Sequence, residues 1–283
     1  MKPAQHVPRR LSALWLIALL GAAGNFLPAP ASARETIKVG GSGAAYPLLS
    51  ALASAYREST PNMEIQLTSP PLGSSAGIRA LAANRLDVVI SGRDLKASDP
   101  GGLTGINLGR SHLAFVVNGP TGQDSLSHQD LVEIFLGQRK HWPNGSRLKL
   151  VLRPEGDVDS KLVSTLSPEI ARALSDARKR AGMAVAMNDL ENAEMLSQTP
   201  AALGTMTLCQ MNMQKLGLQE IATETAAPST TGPGSASHSL SRPFIVIIKH
   251  DARPAVRHFI EFLLSATARR VMHDLKCPLG SAQ

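Results

Sequence analysis

Ile37-Lys38-Val39-Gly40-Gly41-Ser42-Gly43-Ala44-Ala45-Tyr46-Pro47 passes from a short apolar strand through a Gly-rich turn into a helix. In that helix Leu48, Leu49, Leu52, Ala55 and Tyr56 repeat at helical spacing. Pro47 falls at its start, where no N–H is needed. The same succession recurs downstream. Glu64-Ile65-Gln66-Leu67-Thr68 alternates like a strand, and Gly73-Ser74-Ser75-Ala76-Gly77 opens a helix over 78–83. Asp87-Val88-Val89-Ile90-Ser91 then reads as a buried strand running into Gly92-Arg93-Asp94. Strands alternating with helices predict parallel βαβ units and an α/β fold. Ligands of open α/β sheets collect at the carboxyl ends of strands. The small residues at junctions 40–46, 73–77 and 91–94 let a ligand approach the backbone closely. These junctions nominate Ala45, Tyr46, Ser74, Ser75, Ser91 and Arg93 as candidate contacts.

A fourth junction carries a charge. The apolar run Leu148-Lys149-Leu150-Val151-Leu152 delivers Arg153 into the turn Pro154-Glu155-Gly156-Asp157-Val158-Asp159-Ser160. An arginine at a strand end offers an oxyanion a planar fork of donors. A turn that opens a helix adds free backbone N–H groups. Arg153, Gly156 and Ser160 therefore join the candidate ligand contacts. Asp157 and Asp159 oppose that role, because they either repel an anion or pair with Arg153.

Elsewhere, 114–118 reads as a strand closed by Gly119-Pro120, and 131–137 as a short helix stopped by Gly137. Ser167-Pro168 caps a helix running to about Arg180. Residues 202–208 and 244–248 read as buried strands, 223–241 as an irregular loop, and 254–275 as a closing helical region.

The chain has 283 residues, and its N-terminus reads as an address. Lys2, Arg9 and Arg10 precede the apolar run Leu11 to Ala23, and Ala31-Ser32-Ala33 supplies a small-x-small cleavage site. Thirteen apolar residues are short for a membrane span. The reading is a signal peptide over 1–33, cut after Ala33 and leaving a periplasmic protein that does not span the membrane. An uncleaved anchor is the alternative. The leader holds three of the 29 Lys and Arg and none of the 22 Asp and Glu, so the mature chain carries 26 against 22, or +4. Its basic residues are scattered, without the clusters expected of a nucleic-acid binder. No Cys/His cluster has metal-ligand spacing, and no cofactor is expected. Cys209 and Cys277 are either a disulfide or two separate thiols, since spacing alone does not place them together. Ser74, Ser75, His112 and His141 lack a nucleophile-elbow motif or paired acid–base spacing, so no enzyme is expected.

Taken in order, several segments resemble the phosphate-binding proteins of bacterial ABC transporters and their wider family of periplasmic solute-binding proteins. They are Gly40 to Pro47, Leu72 to Ile78, Asp87 to Lys96, Leu131 to Trp142, Thr199 to Gly204 and Leu240-Ser241-Arg242-Pro243. The resemblance implies a two-lobed periplasmic binding protein fold of type II, each lobe a mostly parallel sheet flanked by helices. Lobe 1 would take 34–116 plus 212–283 and lobe 2 would take 117–211. It also implies a monomer that captures a small oxyanion, phosphate foremost, for an ABC permease. The alternative is a non-transport extracytoplasmic sensor or partner-binding module with a degenerate phosphate pocket. The chain departs from the family pattern at the site. Ala45 stands where the phosphate binders have Thr, and Gly92 where they have a proton-accepting Asp. Gly156-Asp157-Val158-Asp159 replaces Gly-Ser-Gly-Thr, while Ser74 and Arg153 are kept. Ser160 takes the hydroxyl role if the loop is shifted by one residue.

Overall fold

A computed structural model describes residues 34–224, 240–277 and 279. The leader expected over 1–33 and most of the loop expected over 223–241 lie outside the described residues. The opening stretch folds as its pattern predicts. β1 (Glu35–Gly41) ends in a 3₁₀ turn (Gly43–Ala45) that feeds α1 (Tyr46–Ser59). Leu48, Leu49, Leu52 and Tyr56 of α1 are all buried. Gly41 is required at the bend. Its φ is 116°, and a Cβ there would overlap the Ile90 carbonyl.

β2 (Met63–Leu67), α2 (Gly73–Ala82) and β3 (Val88–Ser91) complete the opening βαβ units. β1 pairs in parallel with both β2 and β3. β4 (Leu103–Val117) is far longer than the 114–118 strand expected from sequence. β5 (Ser125–Leu126) and α3 (His128–Leu136) follow, α3 opening with a capping box at Ser127 and closing on left-handed Gly137. β6 (Lys149–Leu152), α4 (Val158–Ser164), α5 (Pro168–Lys179), β7 (Ala184–Val185) and α6 (Asp189–Gln198) come next. The chain then forms β8 (Ala202–Thr207), α7 (Leu208–Gln214), β9 (Gln219–Thr223) and β10 (Ser241–Lys249). The single closing helical region divides into α8 (Pro254–Leu263) and α9 (Ala266–Asp274).

The strands run β2-β1-β3-β10-β4-β8-β6-β7, with β9 joining β4 and β5 off this path. Among the strands of the described residues, the four antiparallel pairings all involve β4 or β10, and the other pairings are parallel. β4 serves two neighbourhoods. Its first part, Leu103–His112, pairs with β10, and its last part, Leu113–Val117, pairs with β8. Apolar residues collect accordingly. Ile37, Val39, Leu52, Tyr56, Phe244 and Phe259 form a core on the β1 side. Phe115, Leu131, Phe135, Leu152, Ile170 and Leu203 form another on the β6 side. Each such side chain contributes about 1.5–3 kcal/mol on burial. β9 sits at the junction of the two expected lobes. It hydrogen-bonds to Phe115–Val117, at the end of β4 that also pairs with β8. His112 sits within β4, with Nε2 3.1 Å from Glu220 Oε1.

Cys209 and Cys277 form a disulfide that closes 68 residues of chain and ties α7 to the end of α9. Among the described residues, no helix is long and apolar enough to cross a membrane.

Candidate functional site

A cleft of about 260 Å³ opens where β3, β6 and β10 approach one another. Five cationic side chains line it: Arg79, Arg93, Arg153, Lys161 and Arg242. Two carboxylates, Asp157 and Asp189, do so as well. Its floor is a buried charge cluster. Arg153 follows β6 and is 4% exposed, and Arg242 sits near the start of β10 at 2%.

Arg153 points at its own loop first. Its Nη2 donates to Asp157 Oδ2 at 2.8 Å, its Nε to Asp157 Oδ1 at 3.3 Å, and its Nη1 to the Ala186 carbonyl at 3.0 Å. Asp157 is also the N-cap of α4, accepting from Asp159 N–H at 2.9 Å. The helix opening expected to hold an anion carries its own carboxylate instead. Among the described residues, Arg242 has no partner near it in sequence. Its Nη1 donates to Asp159 Oδ1 and to Asp189 Oδ1, each at 2.8 Å, and its Nη2 to Ser42 Oγ at 2.8 Å and Asp189 Oδ2 at 3.3 Å.

Electrostatics follow from this packing. Burial works to raise the Asp189 carboxyl. The guanidinium groups of Arg242 and Arg153 outweigh it and hold Asp189 well below the usual carboxylate range. Burial also raises Asp159. There Arg242 opposes only in part, Asp157 and Asp189 add repulsion, and the carboxyl is pushed up to about 7. Burial lowers Arg242, but Asp159 and Asp189 more than compensate and raise it above its ordinary value.

The nominated residues divide into three groups. Ser74, Ser75, Arg93, Arg153 and Gly156 are brought together at the cleft. Ser74 Oγ accepts from Gly92 N–H at 2.9 Å, and α2 opens beside it without a side-chain cap. Arg93 makes a two-point pair with Asp99 at 2.7 and 2.9 Å, and donates to Ser75 Oγ at 3.1 Å. The hydrogen bond from Arg93 lowers Asp99 to about 2. Ser91 and Ser160 are held behind the cleft as positioning residues. Ser91 Oγ bonds both N–H and carbonyl of Arg93, at 3.1 and 2.6 Å, and Ser160 Oγ donates to the Arg153 carbonyl at 3.0 Å. Ala45 and Tyr46 are not brought to the cleft. Both are packed in the β1-side core, where Tyr46 Oη lies 2.8 Å from Thr68 Oγ1. The first loop contributes Ser42 and Ala44 instead. Ala44 N–H donates to Asp189 Oδ2 at 2.9 Å and Ser42 Oγ to the same oxygen at 3.4 Å.

Arg242 and Asp189 are the residues that sequence reasoning missed. One signal for Arg242 was available in Gly92. A Cβ at Gly92 would overlap Arg242 Nε, which is buried without a hydrogen-bond partner. The side chain absent at 92 leaves the space that Arg242 fills.

The chain has the type II periplasmic binding protein fold, with mixed sheets flanked by helices and a charged cleft where they meet. The chain belongs to the PBP superfamily domain family, whose pattern matches residues 28–267. Over 106 residues it is 31% identical to phosphate-binding protein PstS 2 of Streptococcus pneumoniae serotype 4. That stretch is 38% of this chain and about a third, 36%, of the relative's length. In structure it is similar to a Clostridium perfringens protein described as a phosphate ABC transporter substrate-binding protein with bound phosphate. The TM-score is 0.70 and the identity 17%, over 88% of this chain and 100% of that one. It is also similar to an ABC-type phosphate transport receptor from Vibrio cholerae, with TM-score 0.57 and 21% identity over 84% and 98%. At these identities the structural likeness is one of fold.

Proposed function

We propose that this protein is a periplasmic solute-binding component of an ABC transporter, capturing a small oxyanion, phosphate foremost. The observation that carries this reading is the cleft lining, five cationic groups against two carboxylates, with two buried arginines at its floor. Guanidinium forks match the oxygens of an oxyanion. The ligand-binding set is Arg153 and Arg242 at the floor, and Ser74, Ser75, Arg93 and Gly156 at the rim. In this reading the β1-side and β6-side halves act as lobes that close on the ligand by hinge motion. The protein acts as an exported monomer, presents its ligand to a permease, and catalyses nothing.

Calorimetric titration with phosphate, sulfate, thiosulfate, molybdate and amino acids tests this. Saturable oxyanion binding that Arg153→Ala weakens at least tenfold is the expected result. A second reading, a sensor or partner-binding module with a degenerate pocket, is favoured by one observation. Both floor arginines are already paired, with Asp157, Asp159 and Asp189. Absence of binding to every oxyanion at millimolar concentration selects that reading.

A further inference from the structure

The Asp189 carboxylate accepts five hydrogen bonds. They come from Arg242 Nη1 at 2.8 Å, Ala44 N–H at 2.9 Å, Arg242 Nη2 at 3.3 Å, and Arg153 Nη2 and Ser42 Oγ at 3.4 Å each. A carboxylate has about four lone-pair sites, so this one is saturated. Two guanidinium groups, a hydroxyl and a backbone N–H converging on one pair of oxygens form an oxyanion receptor. Here the oxyanion is part of the chain. Asp189 begins α6, and Gln210 Nε2 holds its backbone carbonyl at 3.0 Å. Its donors come from elsewhere: the turn after β1, the end of β6, and β10.

We propose that Asp189 is a tethered occupant of the anion seat, and that a free oxyanion binds by displacing its carboxylate from Arg242 and Arg153. This rests on the oxyanion reading of the cleft and sharpens it. Asp189 sets affinity by competition and discriminates against anions that cannot accept from all its donors at once. A side chain that rotates out from the first turn of a helix vacates the seat without unfolding the helix. The displaced carboxylate then faces the cleft, which Arg79, Arg93 and Lys161 also line.

The test uses Asp189→Ala and Asp189→Asn in the full-length exported protein, with sodium formate, sodium acetate and sodium phosphate as probes. Thermal unfolding and calorimetry are the readouts. If the seat is an oxyanion receptor, formate and acetate raise the melting temperature of Asp189→Ala and leave wild type unchanged. Phosphate affinity rises at least tenfold over wild type in the same variant. A purely structural ion pair predicts lost stability with no gain in anion binding, and that result in folded Asp189→Ala overturns the proposal. If Asp189→Ala does not fold, Asp189→Asn keeps the shape and removes the charge. Where Asp189→Asn alone folds, phosphate affinity in it no tighter than wild type overturns the proposal. Rescue by formate, with phosphate ignored by every form, keeps the tethered occupant and removes phosphate as the ligand.

Discussion

Arg153 and Arg242 reach the same carboxylate by different routes. Arg153 pairs within its own loop, with Asp157 four residues on, and touches Asp189 only at 3.4 Å. Arg242 is held by Asp189 and Asp159, 53 and 83 residues away in sequence, each at 2.8 Å. The first is a local charge pair that happens to face the cleft. The second joins the β1-side half of the molecule to the β6-side half through buried charge. The charge most visible from sequence is the less committed one. Asp157 is 15% exposed and can turn to solvent if its arginine is lost, whereas Asp159, at 2%, is enclosed, and Asp189, at 6%, opens only onto the cleft.

The sharpest way to break this comparison is to remove each arginine in turn. Arg242→Met leaves the buried Asp159 without its cation and Asp189 with only the 3.4 Å contact of Arg153, and should cost about 3–5 kcal/mol in urea unfolding at neutral pH. Arg153→Met should cost less, about 1.5–3 kcal/mol; equal losses would contradict the assignment. Removing the long-range covalent tie is next. Cys209→Ser with Cys277→Ser frees a 68-residue loop and should lower stability by about 2–4 kcal/mol by the same assay. Gly92→Ala then pushes against Arg242 rather than removing it. The guanidinium is pinned by its carboxylates, so overpacking should cost about 1–3 kcal/mol. If the loss at Gly92 vanishes in an Arg242→Met background, the two sites are coupled as described.

The smallest effect is a pH slope. The folded Asp159 carboxyl lies at about 7 against an ordinary 3.8. Between those values the folded state holds more protons at this position than the unfolded state. Its contribution to stability is therefore greatest below the ordinary value and declines as pH rises through that window. Asp189 acts in the opposite sense, and its contribution is lost only as pH falls below 3.8. Asp159→Asn keeps an oxygen for Arg242 and removes the titration. Its stability relative to wild type should rise between pH 5 and 7.5, with a cost under about 1 kcal/mol at pH 5.

Much of the fold was legible because its signals are short-ranged. The β1–turn–α1 passage, the β3 strand, the Gly137 stop and the Ser167 cap each depend on residues within one turn or strand. The first part of β4 was not legible. Thr104, Gly105, Asn107, Gly109 and Arg110 interrupt its apolar residues, and only pairing with β10 makes it a strand. β9 has a single buried apolar residue, Ile221, and is likewise defined by its partner. At the site, Arg153 was legible from its strand end, and Asp157 from its closeness to that arginine. Asp189 was not, because its donors Ser42 and Ala44 lie 147 and 145 residues away. Nothing local distinguishes an aspartate at a helix start that caps solvent from one that fills an anion seat.

The disulfide makes Cys209 through Cys277 a covalent ring, and Arg242 lies on that ring. A single backbone break anywhere between the two cysteines therefore yields no separate fragment while the bridge is intact. The arginine that joins the halves stays captive to α7, whose Gln210 anchors Asp189. Under oxidising conditions a nicked chain can retain its cleft, and the same nick under reducing conditions frees the segment that carries Arg242 or the segment that follows it.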